Sequence, residues 1–134
     1  MPLTLVVDAE RLLVNYLKTQ SEVTAIASGR VYGALPDNPQ FPCITLSRIG
    51  GIASRPHYQD SAQIQLSCWG RTRDEARMLT RTAHSALKAI PQVHSLGIVI
   101  SLVTVLGESY QPDPTYSPAR ERYVFGCICI TRPL

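Results

Sequence analysis

The chain has 134 residues, 45% of them apolar and 17% charged, with a net charge of +3. That length suits one ordinary domain, which buries roughly two-thirds of the surface its unfolded chain exposes and needs no staples. An excess this small does not make a nucleic-acid binder, and the low charged fraction hints at a surface partly covered by a partner. Of the 13 Lys and Arg residues all but Lys18 and Lys88 are Arg. Arg enrichment in protein interfaces and a GC-rich genome account for that bias equally well.

The opening stretch MPLTLVVDAERLL lacks a basic leader region, so no signal peptide is expected. Leu5 to Leu17 is the first periodic segment. Ala9, Leu12, Leu13, Tyr16 and Leu17 share one helical face, with Thr4 or Asp8 as cap. A short helix is predicted over Ser21 to Ala27, capped by Ser21 and stopped at Gly29. Arg30–Leu35 reads as a brief strand closed by Pro36, Asp37, Asn38 and Pro39.

Cys43–Ile49 and Ala62–Trp69 are strand-like, and in the second Ala62, Ile64, Leu66 and Cys68 alternate with Gln63, Gln65, Ser67 and Trp69. Such alternation marks a sheet with one buried and one wetter face. Between them Gly50–Ser61 is too long for a tight turn and is expected to be an extended, mobile arm. Its Arg55, His57 and Tyr58 are candidate contacts for a partner. Thr72–Ile90 is the clearest helix, opened by a Thr72/Glu75 capping box and ended by Pro91. Two strands rich in Val and Ile follow, Leu96–Leu106 and Tyr123–Arg132, joined by a proline-containing loop, Gly107–Arg122. Strands grouped in hairpins with helices between them predict an α+β fold, an antiparallel sheet with helices on one face, in a single domain spanning residues 1–134.

Catalysis and metal binding find little support. His57, His84 and His94 have no partner at ligand spacing, so no metal site is expected. The cysteines Cys43, Cys68, Cys127 and Cys129 read as small apolar core residues, with no CxxC pair. No GxSxG elbow or phosphate-cradling glycine loop occurs, and Asp74 with Glu75 suits a helix start. The chain is therefore expected not to be an enzyme and to need no cofactor. Its apolar runs are far shorter than the roughly 20 residues of a membrane helix, so no membrane contact is expected either.

One patch stands out. On the predicted long helix Arg73, Arg77, Arg81, His84 and Lys88 fall within about 80° of arc. The stripe is read as a solvated face whose side chains cover the core edge, as a contact with an acidic neighbouring subunit, or as a nucleic-acid surface. Aromatic side chains for stacking are missing from it. Arg73, Arg77 and Arg81 join the arm residues as candidate interface positions.

Several local phrases occur in a telling order. An amphipathic N-terminal helix leads to Gly29-Arg30-Val31-Tyr32-Gly33 and the Pro36 turn, then to Phe41-Pro42-Cys43-Ile44-Thr45. Ile64-Gln65-Leu66-Ser67-Cys68-Trp69-Gly70 runs into Thr72–Glu75-Ala76, and Glu108-Ser109-Tyr110 with Asp113-Pro114 precedes the last strand. This layout, from Leu5 to Ile130, is similar to the tail-completion, or tail-terminator, proteins of long-tailed bacteriophages, also called head–tail joining proteins. The resemblance implies a structural virion protein that forms a ring, typically hexameric, at the head-proximal end of the tail tube. Such a ring ends tube growth and docks the head connector or stopper protein, with DNA passing through the lumen without sequence-specific binding. Its implied partners are thus further copies of itself, the tail tube protein and the connector, and its setting is the virion after assembly in the host bacterial cytoplasm. The basic stripe is not explained by the resemblance. Another neck, head-completion or minor tail protein, a nucleic-acid-binding α+β module and a small enzyme with an unrecognised site are the rival readings.

Overall fold

A computed structural model of the chain describes residues 8–55, 59–90, 94–95, 98–116 and 119–133. The order of elements is α1 (Ala9–Thr19), α2 (Ser21–Ala27), β1 (Val31–Tyr32), β2 (Cys43–Arg55), β3 (Gln59–Gly70), α3 (Arg73–Lys88), β4 (His94–Ser95), β5 (Ile98–Val105), β6 (Ser109–Tyr110) and β7 (Glu121–Pro133).

Helix α1 starts where its cap dictates: the Asp8 carboxylate accepts from the Arg11 backbone N–H at 3.1 Å. It buries Ala9, Leu12, Leu13, Val14 and Leu17 and runs two residues beyond the expected Leu17. The expected residues before Asp8 lie outside the described ones. Helix α2 has the predicted span but a different cap. The Gln20 carbonyl already accepts from the Thr24 N–H at 3.0 Å, so Ser21 is the first helical residue and not the cap. Ser28 in the left-handed region, with Gly29 after it, ends the helix. At α3 the Thr72 hydroxyl accepts from the Glu75 N–H at 3.1 Å. The reciprocal half of the box shifts by one residue, since the Glu75 carboxylate takes the Arg71 N–H at 2.9 Å.

The strands form one sheet in the order β1-β2-β3-β7-β5-β4, with β6 on β7. The pairings between β2 and β3, β3 and β7, and β5 and β7 are antiparallel. Against the expectation of a wholly antiparallel sheet, β1 pairs parallel to β2, Val31 opposite Ile44. The α2 turn delivers β1 to that edge already running alongside β2, and Gly33 and Pro36 confine it to two residues. β7 lies between β3 and β5. Ile64, Leu66 and Cys68 of β3 and Phe125, Cys127 and Cys129 of β7 pack with Leu13 and Leu17 of α1 and Leu79, Ala83 and Leu87 of α3 in one core. Tyr16 ties the two helices further, its hydroxyl donating to the Ala86 carbonyl at 2.7 Å. Gln63 and Gln65, one residue out of phase, are exposed on the opposite face.

Gly50–Ser61, expected to be an extended, mobile arm, is extended in its described residues but paired as a continuation of β2 and β3. The ladder continues through Gly50↔Gln63, Gly51↔Ala62, Ile52↔Ser61, Ala53↔Asp60 and Arg55↔Gln59. The register shifts at Ile49, between Arg48 and Gly50, and Gly50 and Gly51 resume the ladder. Gly51 has φ +119°, and a Cβ there would lie 2.0 Å from the Ser61 carbonyl oxygen, so only glycine fits. Gly70 has a similar role against a helix: a Cβ would come within 2.5 Å of the Ala76 nitrogen, and its absence lets α3 start tight against the end of β3.

Candidate functional site

The described residues hold no group of three or more His, Cys, Asp or Glu able to bind a metal ion. All four cysteines are buried, and burial pushes the thiols of Cys43 and Cys129 up to about 11 and those of Cys68 and Cys127 to about 12. Thiols held that far from ionisation are packing groups and not nucleophiles.

The interface candidates on the hairpin divide. Arg55 pairs with Gln59 at the end of the ladder, while His57 and Tyr58 lie outside the described residues. What stiffens this hairpin was not among the candidates. The Arg48 guanidinium donates twice to the Asp60 carboxylate, at 2.6 and 2.7 Å, and Asp60 is buried. Hydrogen bonding to Asp60, above all, raises the Arg48 pKa. Such a forked, partly buried pair is far more restrictive than an exposed one. Glu10 of α1 accepts the Arg48 backbone N–H at 3.0 Å, tying helix to hairpin.

The α3 stripe is present but is not a single open patch. Arg73 donates through Nε to the Tyr123 hydroxyl at 3.1 Å, and its guanidinium lies 4.0 Å above the Tyr110 ring. Arg77 pairs with Asp74. His84 sits 3.1 Å from the Glu108 carboxylate and stacks on Phe125 at 5.8 Å. Arg81 faces a shallow groove of about 530 Å³ between α2 and α3, lined also by Glu22, Met78, Thr82 and Ala86. The intended array of like charges is therefore mostly consumed by its own chain.

A second basic region, which sequence reading did not single out, lies where β2 and β7 begin and β3 ends. Trp69 pairs with Cys43 on one side and Arg122 on the other. Arg122 lies 5.6 Å from the Trp69 ring and donates through Nε to the Gln111 carbonyl at 2.8 Å. Arg120 lies over Phe41 at 4.4 Å and near Tyr116 at 5.6 Å, and those two rings meet edge to face at 5.8 Å. Arg30 donates through Nε to the Pro42 carbonyl at 2.9 Å. Asp113, bridged to Arg120 by backbone hydrogen bonds, is held below the usual carboxylate range, first by the Thr115 hydroxyl and then by the Thr115 N–H and the Arg122 charge. The available signal was the Arg120-Glu121-Arg122 run at a strand start with Tyr116 just before it, but Phe41 and Trp69 come from two distant segments.

A family model described as "Tail completion protein gp17" matches residues 11–113. The chain belongs to the tail-completion family. It is thus a structural tail protein, as its sequence layout led one to expect. Among solved structures it is similar to a chain of the virion of a native gene transfer agent particle, at 16% identity and a TM-score of 0.62, over 89% of this chain and 91% of that one. That likeness shows a shared fold. No curated protein sequence matches.

Proposed function

We propose that copies of this tail-completion chain close into a ring, most simply a hexamer, at the head-proximal end of a phage tail tube. The ring ends tube growth, joins the tail to the head connector and lets DNA pass through its lumen. The chain is then a virion component, assembled in the host cytoplasm, whose partners are itself, the tube protein and the connector. The observation that carries this reading is the family match across residues 11–113. Three features of the chain support it. Among the described residues the helices pack on one face of the sheet, and its other face exposes Gln63, Gln65 and Leu106. The charged fraction is 17%, low for a surface wholly in water. The hairpin beyond Arg48 is a braced extension, the kind of feature that reaches a neighbour in a head-to-tail ring.

The test is light scattering and electron microscopy of the chain, alone and with its cognate tail tubes. Rings, free or capping the tube, are expected, and removing the chain should give tubes of uncontrolled length or tails without heads. Monomer in both conditions, with tails still joined to heads in its absence, would sink the proposal.

A further inference from the structure

Two groups of arginines in this chain contrast. Arg48, Arg71 and Arg77 spend their terminal nitrogens on carboxylates of the chain itself. Arg30 and Arg122 spend only Nε, each on a backbone carbonyl. Arg120 Nε is buried and has no hydrogen-bond partner among the described residues. All three are half-exposed. They share a site: Arg30 holds the Pro42 carbonyl, Arg120 lies over the adjacent Phe41 ring, and Arg122 lies over Trp69, whose strand partner Cys43 follows Pro42. A guanidinium fixed by stacking and by Nε presents its outer edge in a set direction, the geometry that receives a carboxylate in two parallel hydrogen bonds. Like charges gathered around a buried orphan donor call for an anion.

Among the described residues no carboxylate forms an ion pair with these three arginines, although Asp113 and Glu75 feel the charges of Arg122 and Arg30. The chain has ten Asp and Glu residues, all among the described ones, and nine already accept a hydrogen bond within the chain. The described residues hold no cluster of three or more His, Cys, Asp or Glu able to hold a metal ion, and the chain is net basic at +3, so a second copy is a poor source of a carboxylate-rich face. Nucleic acid fits less well than protein. Asp113 and Glu121 interleave the arginines, and the Phe41 and Trp69 rings sit under guanidinium groups, not open to bases. Arg with aromatic side chains is instead the composition of protein hot spots.

We infer that Arg30, Arg120 and Arg122, held by Phe41, Trp69 and Tyr116, form a docking surface for a carboxylate-rich face of a different protein. The inference deepens the assembly reading and rests on it for the setting, a joint between unlike virion proteins.

The probe is a fluorescent oligo-glutamate peptide, with a labelled duplex DNA of equal charge beside it, titrated at low salt with the full chain. The wild type should bind the peptide more tightly than the DNA. R30Q/R120Q/R122Q should weaken peptide binding about tenfold or more, whereas the charge-matched R11Q/R81Q/K88Q should change it by less than about twofold. Circular dichroism checks that each variant folds. If the Gln triple does not fold, R30K/R120K/R122K decides: it keeps the charge but loses the planar fork and should bind several-fold more weakly. Equal losses in the two Gln triples, wild-type affinity in the Lys triple, or tighter binding of DNA than of peptide would each overturn the inference. Ring formation is read separately by microscopy on the same samples. Its absence from the wild type counts against the ring and leaves the peptide result standing.

Discussion

The face of α3 and the end of the sheet around Trp69 are both rich in arginine, yet they hold it in opposite ways. On α3, Arg77 meets Asp74 one turn away, and Arg73 turns onto Tyr110 and Tyr123. Around Trp69 the guanidinium groups are fixed by ring faces and backbone carbonyls, and none forms an ion pair among the described residues, although the Arg122 charge reaches Asp113. The difference teaches that clustering of charge along a sequence says little about the charge left for a partner. A helix supplies its own counter-ions at three- and four-residue spacing, whereas a sheet end gathers cations from separate segments and leaves them together.

The largest effect should separate the two faces of α3 itself. Leu79→Ala empties a fully buried core position and should cost about 2–5 kcal/mol, seen as a drop in denaturation midpoint. A near-silent result would mean that the basic face, not the apolar one, holds the helix. Next, Arg120→Ala removes the cation seated over Phe41 and Tyr116. It should lower stability by about 1–2 kcal/mol, and a neutral outcome would show that the stack gives the sheet end no rigidity. Tyr123→Phe deletes the hydroxyl that Arg73 uses and should cost about 0.5–1.5 kcal/mol by chemical denaturation. If Arg73 is indifferent to Tyr123, its separation from the rest of the stripe fails. Smallest of all, Arg77→Gln should cost no more than about 0.5 kcal/mol, because its pair with Asp74 is exposed. A loss of several times that would make the stripe structural.

Acid offers a further probe of the same contrast. Arg71 holds the Glu75 carboxyl below its ordinary 4.5, and the Thr115 hydroxyl holds Asp113 below its ordinary 3.8. A carboxyl depressed in the folded state stabilises it fully above the unfolded value, and that contribution is lost as pH falls through the folded one. Melting temperature should therefore fall below about pH 4.5, and Glu75→Gln should flatten part of that slope. An unchanged slope in the variant would show that the α3 start is insensitive to its charge.

Local signals in the sequence were reliable where one short segment decides the outcome. The caps at Asp8 and Thr72, the alternation through Ile64 and Leu66, and the apolar faces of α1 and α3 all appear as read. What escaped depends on register between distant segments. Nothing near Gly50 says that Ala53 will sit opposite Asp60, so a long polar stretch looked like a loop and not a braced hairpin. Nothing near Arg122 says that Trp69 will lie beneath it. The brief strand expected within Arg30–Leu35 is present as β1, but its parallel direction escaped because two residues carry too little pattern to declare one.

The placement of β7 bears on how the protein is made. Every other described element precedes this strand in the chain, yet it is the seam between β3 and β5. While the ribosome is still adding residues 121–133, the two halves of the sheet have no strand to join them, and the inner edges of β3 and β5 remain unpaired. Sheet completion is therefore a late, long-range event in biosynthesis, of the slow-folding and aggregation-exposed kind. Until then the open edges of β3 and β5 invite pairing with other chains, and residues 121–133 close both at once.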